Sequence, residues 1–493
     1  MRGFGTAGLL LLAIAFSGWA GNAVAAEKDE TTTSTARLRA VWASTLGPGL
    51  DSPQQIDALV GAARTAHLNT IVAQVRHRGI TYFKSDLEPL APPVRLLSGF
   101  DPLANLLKEA HETSQPAQRL NVYAWLNVFS IAGMRSLDNE QSSGVLKLFD
   151  EGRTLNTSGT KIAFLDPALP EVQDHLVSLV RECVDGYDVD GINLDYVRYP
   201  DNGGGWHPKA VERFNRLTKR SGRPLPDDAE WNQFRRDQIT AFVRRCAAVV
   251  WDERPEVLFT INAVGYGAPG SSFEESAPYT QVNQDWAGWV KEGCLDGALR
   301  MGYKRDHIPA QALQYRQWAD FSLALQQSAG GPFVSLGIGG YFNELPCVMD
   351  QIREAEKRGL GSSIFSYNRP LANAEEARET SEKSPLWPRL GATIFAEYVA
   401  APDTHWRDKI GVVAVRALRT DGSPADGAEV TITSVDGLTT AVPKLLKADV
   451  CGYAIFFRMP PGSYRITAPG TDAHGQVVKA VAKRVTRVGW RNE

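Results

Sequence analysis

The stretch "VDGINLDYVRYP", residues 189–200, decides how this chain folds. It is a short, β-branched run in which Ile192 and Leu194 alternate with Asn193 and Asp195. Side chains along a strand point to opposite faces with a period of two, so one face is apolar and the other polar. The polar face ends in a carboxylate, Asp195, followed at once by Tyr196, Arg198, Tyr199 and Pro200.

Outward from this run, seven others share its character: "LRAVWAS", "NTIVAQVR", "NVYAWLNV", "VLFTINAVG", "GALRMGYK", "VSLGIGGYF" and "SSIFSYN". Between them lie runs of helical period such as "SPQQIDALVGAARTAHL", "DPLANLLKEAHE" and "LPEVQDHLVSLVRECV". Eight strand-then-helix units predict an α/β fold, a (β/α)8 TIM-type barrel, over residues 37–390, enlarged in its loops beyond the usual ~250 residues. The long connections follow strands and the short ones follow helices, which marks the face after the strands as the elaborated, site-bearing one. A doubly wound open sheet is the alternative, but no glycine-rich phosphate loop follows the first strand. After an exit linker over 391–408, residues 409–493 alternate strands with turn signals, predicting a small, independently folding all-β sandwich. Its "GSPADGAEVTI", "GYAIFF" and "PPGSYRITA" resemble the carboxypeptidase-regulatory-like sandwich, which implies a spacer or binding module.

The 53 Lys and Arg nearly balance the 56 Asp and Glu of the 493 residues, so nothing advertises a surface for nucleic acid. Residues 1–25 carry Arg2, an apolar stretch and Ala23-Val24-Ala25, the pattern of an export signal, followed by a polar linker over 26–36. That apolar run is too short for a membrane anchor, and no later segment reads as a span. An exported protein, periplasmic or extracellular, is expected. The five cysteines are odd in number and widely spaced, which favours buried thiols with a bridge or two possible. Neither Cys nor His falls at metal-ligand spacing, so no metal and no cofactor is implied. Nothing sets an oligomeric state.

Inward parity places Asn193 and Asp195 in the barrel, with Asp195 nearest the mouth and Arg198 and Tyr199 beyond it to orient the carboxylate or a ligand hydroxyl. The same parity places Gln74 and Arg76, Trp125 and Asn127, and Thr260 and Asn262 in the lumen. Each alone is as readily a satisfied polar group of a barrel layer. Together, amides, cations, a carboxylate and aromatic rings suit a sugar, whose hydroxyls need polar partners and whose C–H faces pack on rings.

"RAVWAS", "NTIVAQVRHRGITYFKSDLEPL", "VYAWLNV", "DGINLDYVRYP", "NQDWAGWVKEGCLDG", "MGYKRD", "GIGGYFN" and "FSYN" resemble, in order and spacing, the glycosyl-hydrolase-like 10 family over about residues 38–370. The resemblance implies an exported glycoside hydrolase acting on a polysaccharide or a peptidoglycan-type glycan strand, with Asp195 as catalytic carboxylate. Tyr303 of "MGYKRD" and Tyr367 of "FSYN" join the candidate sugar-binding residues. Two positions depart from the family pattern: Tyr196 stands where many members have a second acid, and Gly302 where relatives often have Asn or Gln. Glycoside hydrolysis ordinarily needs two carboxyls. Candidates for the second are Glu88, equally readable as a loop salt-bridge residue; Asp285, equally readable as a helix N-cap; and Asp306. The alternative function is a non-catalytic carbohydrate-binding envelope protein that keeps a degenerate barrel. A scaffold for protein partners leaves the polar lumen unexplained.

Overall fold

The computed structural model describes residues 36–91, 96, 99–131, 143–201, 203–372, 381–435, 444–468 and 475–491. The expected export signal and nearly all of the polar linker lie outside these residues. Eight strands form the barrel: β1 (Arg39–Ala43), β2 (Thr70–His77), β3 (Asn121–Asn127), β4 (Gly191–Asp195), β5 (Leu258–Val264), β6 (Gly297–Met301), β7 (Phe333–Gly339) and β8 (Gly361–Phe365). Each pairs in parallel with its sequence neighbours, and β1 pairs with both β2 and β8, which closes the sheet. Helices return the chain between strands. Ser52-Pro53 and Asp101-Pro102 start two of them, the cap oxygen accepting a backbone N–H while proline fills the first helical position.

The parity read at β4 holds. Ile192 and Leu194 lie in the apolar shell between strands and helices, while Trp42, Val72, Tyr123, Trp125, Leu258 and Leu299 fill the lumen. Gly191 is needed there, since a Cβ would stand 2.6 Å from the Tyr123 ring.

Two local features break the simple pattern. In β2, Gln74 lies opposite Trp125, but the register then shifts and Arg76 lies opposite Leu126. Leu126 faces the helices, so this irregularity turns Arg76 out of the lumen, as an extra residue in a strand does. Within the stretch quoted above the strand ends at Asp195, because Tyr196 takes the left-handed conformation, with φ of 51°.

The tail holds β9 (Gly411–Leu418), β10 (Glu429–Ser434), β11 (Lys444–Lys447), β12 (Tyr453–Met459), β13 (Gly462–Thr467), β14 (Gln476–Ala480) and β15 (Val485–Arg491). They form two sheets, β12-β9-β15 and β11-β10-β13-β14, with Val413, Val415 and Phe456 of the first facing Val430, Ile432 and Ile466 of the second. The alternate residues Val412, Ile455 and Phe457 belong to the barrel's own apolar shell. The first sheet is thus buried on both faces. Phe457 meets Trp251 of the helix Ala229–Glu253 edge-on, with centroids 6.0 Å apart. Composition alone suggests a detachable module, but residues 35–493 pack as one compact unit.

Ahead of β9, Arg407 and Asp296, 1% and 0% exposed in their side chains, form an ion pair beneath the barrel wall. The carboxylate also accepts from Trp406 Nε1 at 2.9 Å and from Phe259 N–H at 2.7 Å. All five cysteines are free thiols, four of them buried. Among the described residues no helix is long and apolar enough to cross a membrane.

Candidate active site

The mouth at the carboxyl ends of the strands opens into a cleft of about 480 Å³. Asp195, Trp125, Asn127, Arg198, Asn262 and Tyr303 all line it. Asp195 is 6% exposed, and both its oxygens are held: Oδ2 accepts from Trp125 Nε1 at 3.0 Å and Oδ1 from the Tyr196 N–H at 2.7 Å. The left-handed turn at Tyr196 is what brings that N–H back onto the carboxylate. A non-glycine residue bears such a conformation at a cost, a feature that concentrates at functional sites. Asn193, fully buried one layer below the mouth, donates to Asn262 Oδ1 at 2.8 Å, and Asn262 in turn hydrogen-bonds Asp195. Burial pushes the Asp195 carboxyl above its usual range, against the backbone N–H of Tyr196 and the charge of Arg198. Arg198 stacks on the Tyr196 ring at 4.9 Å and pairs with Asp201 at 2.7 Å. Asp201 thereby reaches the rim, where Tyr266 donates to it at 3.4 Å.

Residues outside the expected set complete the cleft, among them His77, Tyr266, Lys304, Tyr341, Phe342 and Phe365. Tyr303 packs against Phe365 with centroids 5.0 Å apart, and Tyr341 meets Tyr303 edge-on at 6.1 Å. This aromatic wall comes from the ends of β6, β7 and β8, and the clustering of aromatics just after those runs was its available signal. Gln284 ties the site together from below, accepting from Val264 N–H at 2.7 Å and donating to the carbonyls of Val197 and Asn262 at 3.3 Å each.

Other expected site residues stand elsewhere. Arg76, turned outward by the irregularity in β2, makes a bidentate pair with Glu88 at 2.7 Å on each arm. His175 Nε2 meets the same carboxylate at 2.8 Å. Both partners are fully buried in their side chains, so Glu88 is the salt-bridge residue and Arg76 its anchor, not cleft groups. Tyr199, beyond the turn at Tyr196, is fully buried and donates to Asp166 at 3.4 Å. Tyr367 stacks on Trp387, away from the cleft lining. Asp285 caps a helix, accepting from Gly288 N–H at 3.0 Å, and lines a separate crevice of about 670 Å³ toward the tail. Burial lifts its carboxyl to about 6. Asp306 accepts from Gln351 and stands outside the cleft lining. Among the described residues that line the cleft, Asp195 is therefore the carboxylate, and no cluster of acidic, His or Cys side chains forms a metal site.

The Glu88 pairing sets an acid limit on stability. Burial alone would raise its carboxyl, but Arg76 and His175 overcome that and hold it at about 2. A depressed carboxylate stabilises above its unfolded pKa and loses that contribution as pH falls through the folded one. The gap from an ordinary glutamate amounts to ~3 kcal/mol. Glu88→Gln is expected to lower stability at pH 7, with the difference from wild type shrinking between about pH 4.5 and 2. Urea titrations across that range read it, and a gap that does not change with pH would refute the assignment.

Similarity to known proteins agrees with the barrel fold. The sequence model of the family described as Glycosyl hydrolase-like 10 matches residues 37–329. "Glycosyl hydrolase DigH" of Escherichia coli O6:H1 is 27% identical over 246 residues, covering 46% of this chain and 53% of that protein. "Glycosyl hydrolase YngK" of Bacillus subtilis (strain 168) is 23% identical over 295 residues, covering 53% of each. The chain thus spans about half the length of the curated relatives it matches. The glycoside hydrolase domain of PgaB (BpsB) from Bordetella bronchiseptica superposes with a TM-score of 0.50 at 12% identity, covering 70% of this chain and 98% of that one, a likeness of fold.

Proposed function

The chain belongs to the Glycosyl hydrolase-like 10 family, and from that premise we propose that it is an exported glycoside hydrolase cleaving a polysaccharide or a peptidoglycan-type glycan strand. The observation that carries this reading is the seat of Asp195: a buried carboxylate at the end of β4, gripped on both oxygens and facing an aromatic-walled cleft. Asp195 acts as nucleophile on the anomeric carbon or as base toward the attacking water, while an acid outside the cleft lining, with Asp201 at the rim as the candidate, gives a proton to the leaving oxygen. Fixing both oxygens in advance means little reorganisation at the moment of reaction. Trp125, Tyr303 and Phe365 offer faces for sugar C–H groups, and Asn127 and Asn262 offer amides for hydroxyls. The tail, continuous with the barrel's apolar shell, serves as a support or an added contact for a long substrate.

A second reading is favoured by one observation, the solitary carboxylate among the described cleft-lining residues: a carbohydrate-binding envelope protein with a degenerate barrel. Incubating the purified protein with a panel of polysaccharides and glycan strands separates the two. Release of new reducing ends is the expected result. Glycan binding without release would establish the second reading in its place.

A further inference from the structure

Lys304, just past the end of β6, lines the cleft and is 8% exposed. Its ammonium donates to the Gly267 carbonyl at 3.1 Å, which leaves two of its three N–H groups to offer. Behind it lies Arg300, fully buried, whose Nε, Nη1 and Nη2 have no hydrogen-bond acceptor among the described residues. The rings of Tyr315 and Trp318 flank the guanidinium, with centroids 5.6 and 5.7 Å away. Glycines make the wall between this guanidinium and the cleft thin. A Cβ on Gly302 would stand 2.6 Å from both terminal nitrogens, and one on Gly265, itself part of the cleft lining, 3.0 Å from Nη1.

Neither cation has a carboxylate partner among the described residues. Burial, with Arg300's charge as the second cause, pushes the Lys304 ammonium down to about 8. Burial also pushes Arg300 down to about 10. Two desolvated like charges without a counter-charge are costly, and ring faces offset only part of that cost. A bound anion at Lys304 would supply the missing charge through a charge-assisted hydrogen bond in a site sheltered from water.

We propose that Lys304, backed by Arg300, forms an anion subsite that takes a carboxylate carried by the sugar, so that the substrate is an acidic glycan; this rests on the glycan reading above. Asp195 and the subsite belong to one cleft, so the carboxylate also fixes the direction in which the glycan lies across Asp195.

Calorimetric binding of the full chain to two probes tests it: peptide-free peptidoglycan strands with free lactyl carboxylates, and the same strands with those carboxyls amidated. The carboxylate form is expected to bind about tenfold or more tightly. Lys304→Met is expected to erase that preference while keeping affinity for the amidated strands, and Lys304→Arg to retain it. Equal wild-type affinity for both probes overturns the subsite and leaves the glycan reading standing, whatever the variants do. A preference kept by a folded Lys304→Met variant likewise overturns it. Failure of the carboxylate strands to bind at all overturns the subsite and counts against these strands as the substrate.

Discussion

Asp195→Asn is expected to abolish glycan hydrolysis, with kcat falling on the order of 10³-fold or more and KM changing little. Asparagine is nearly isosteric, so the contacts that seat a sugar on Trp125, Asn262 and Tyr303 survive. An amide, however, neither attacks an anomeric carbon nor accepts a proton efficiently. The fold should tolerate the change because two opposing effects nearly cancel. The amide has one acceptor oxygen where the carboxylate has two for Trp125 Nε1–H, the Tyr196 N–H and Asn262, which leaves at least one of these donors unpaired. Against that, a carboxyl whose folded pKa is raised binds its proton more tightly when folded, so its stabilisation is present at low pH and lost as pH rises through that pKa. At neutral pH the ionised group is a burden that asparagine removes. The same upward displacement orders the pH profile: with Asp195 as nucleophile or base, kcat/KM rises with pH along a limb above the usual carboxylate range. Reducing-end assays with a thermal melt on the same preparation read all of this. A fully active variant would move the chemistry to another carboxyl, with Asp201 at the rim the first to replace.

Arg407→Met is expected to cost about 3–5 kcal/mol of unfolding free energy. Methionine fills the space beside Trp251, over which the guanidinium now lies at 4.2 Å, but leaves Asp296 buried without its cation. Most of the penalty is that uncompensated charge. Adding Asp296→Asn should therefore recover a good part of it, since the double variant has no buried ion to strand. Denaturant titration of the two single variants and the double one closes the cycle. A loss below ~1 kcal/mol for the single variant would show the pair to be replaceable. A chain ending at residue 400 loses Arg407 and also bares the surface that Val412, Ile455 and Phe457 cover, so it should be at least as unstable as the point variant.

The sequence by itself determined the elements, their alternation and the seat of Asp195. These are local properties: the β-branched runs, the helical period between them and the face a residue takes two positions along a strand all follow from covalent geometry and nearby side chains. That is why Asn193, Trp125, Asn127, Asp195 and Asn262 stand on the lumen side expected of them. Tertiary structure decided whatever depends on a partner distant in the chain. The irregularity opposite Trp125 and Leu126 turns Arg76 toward Glu88 and takes both from the cleft, and no feature of "AQVRHRG" signals it. The turn at Tyr196 sends Tyr199 toward Asp166 and away from the ligand space. The cations Lys304 and Arg300 gain their meaning only from what fails to face them, and the tail's first sheet only from the helix it lands on. A strand's pattern says which way a side chain points, but not which charge from elsewhere in the chain will meet it or leave it unpaired, because that pairing exists only once the barrel has closed.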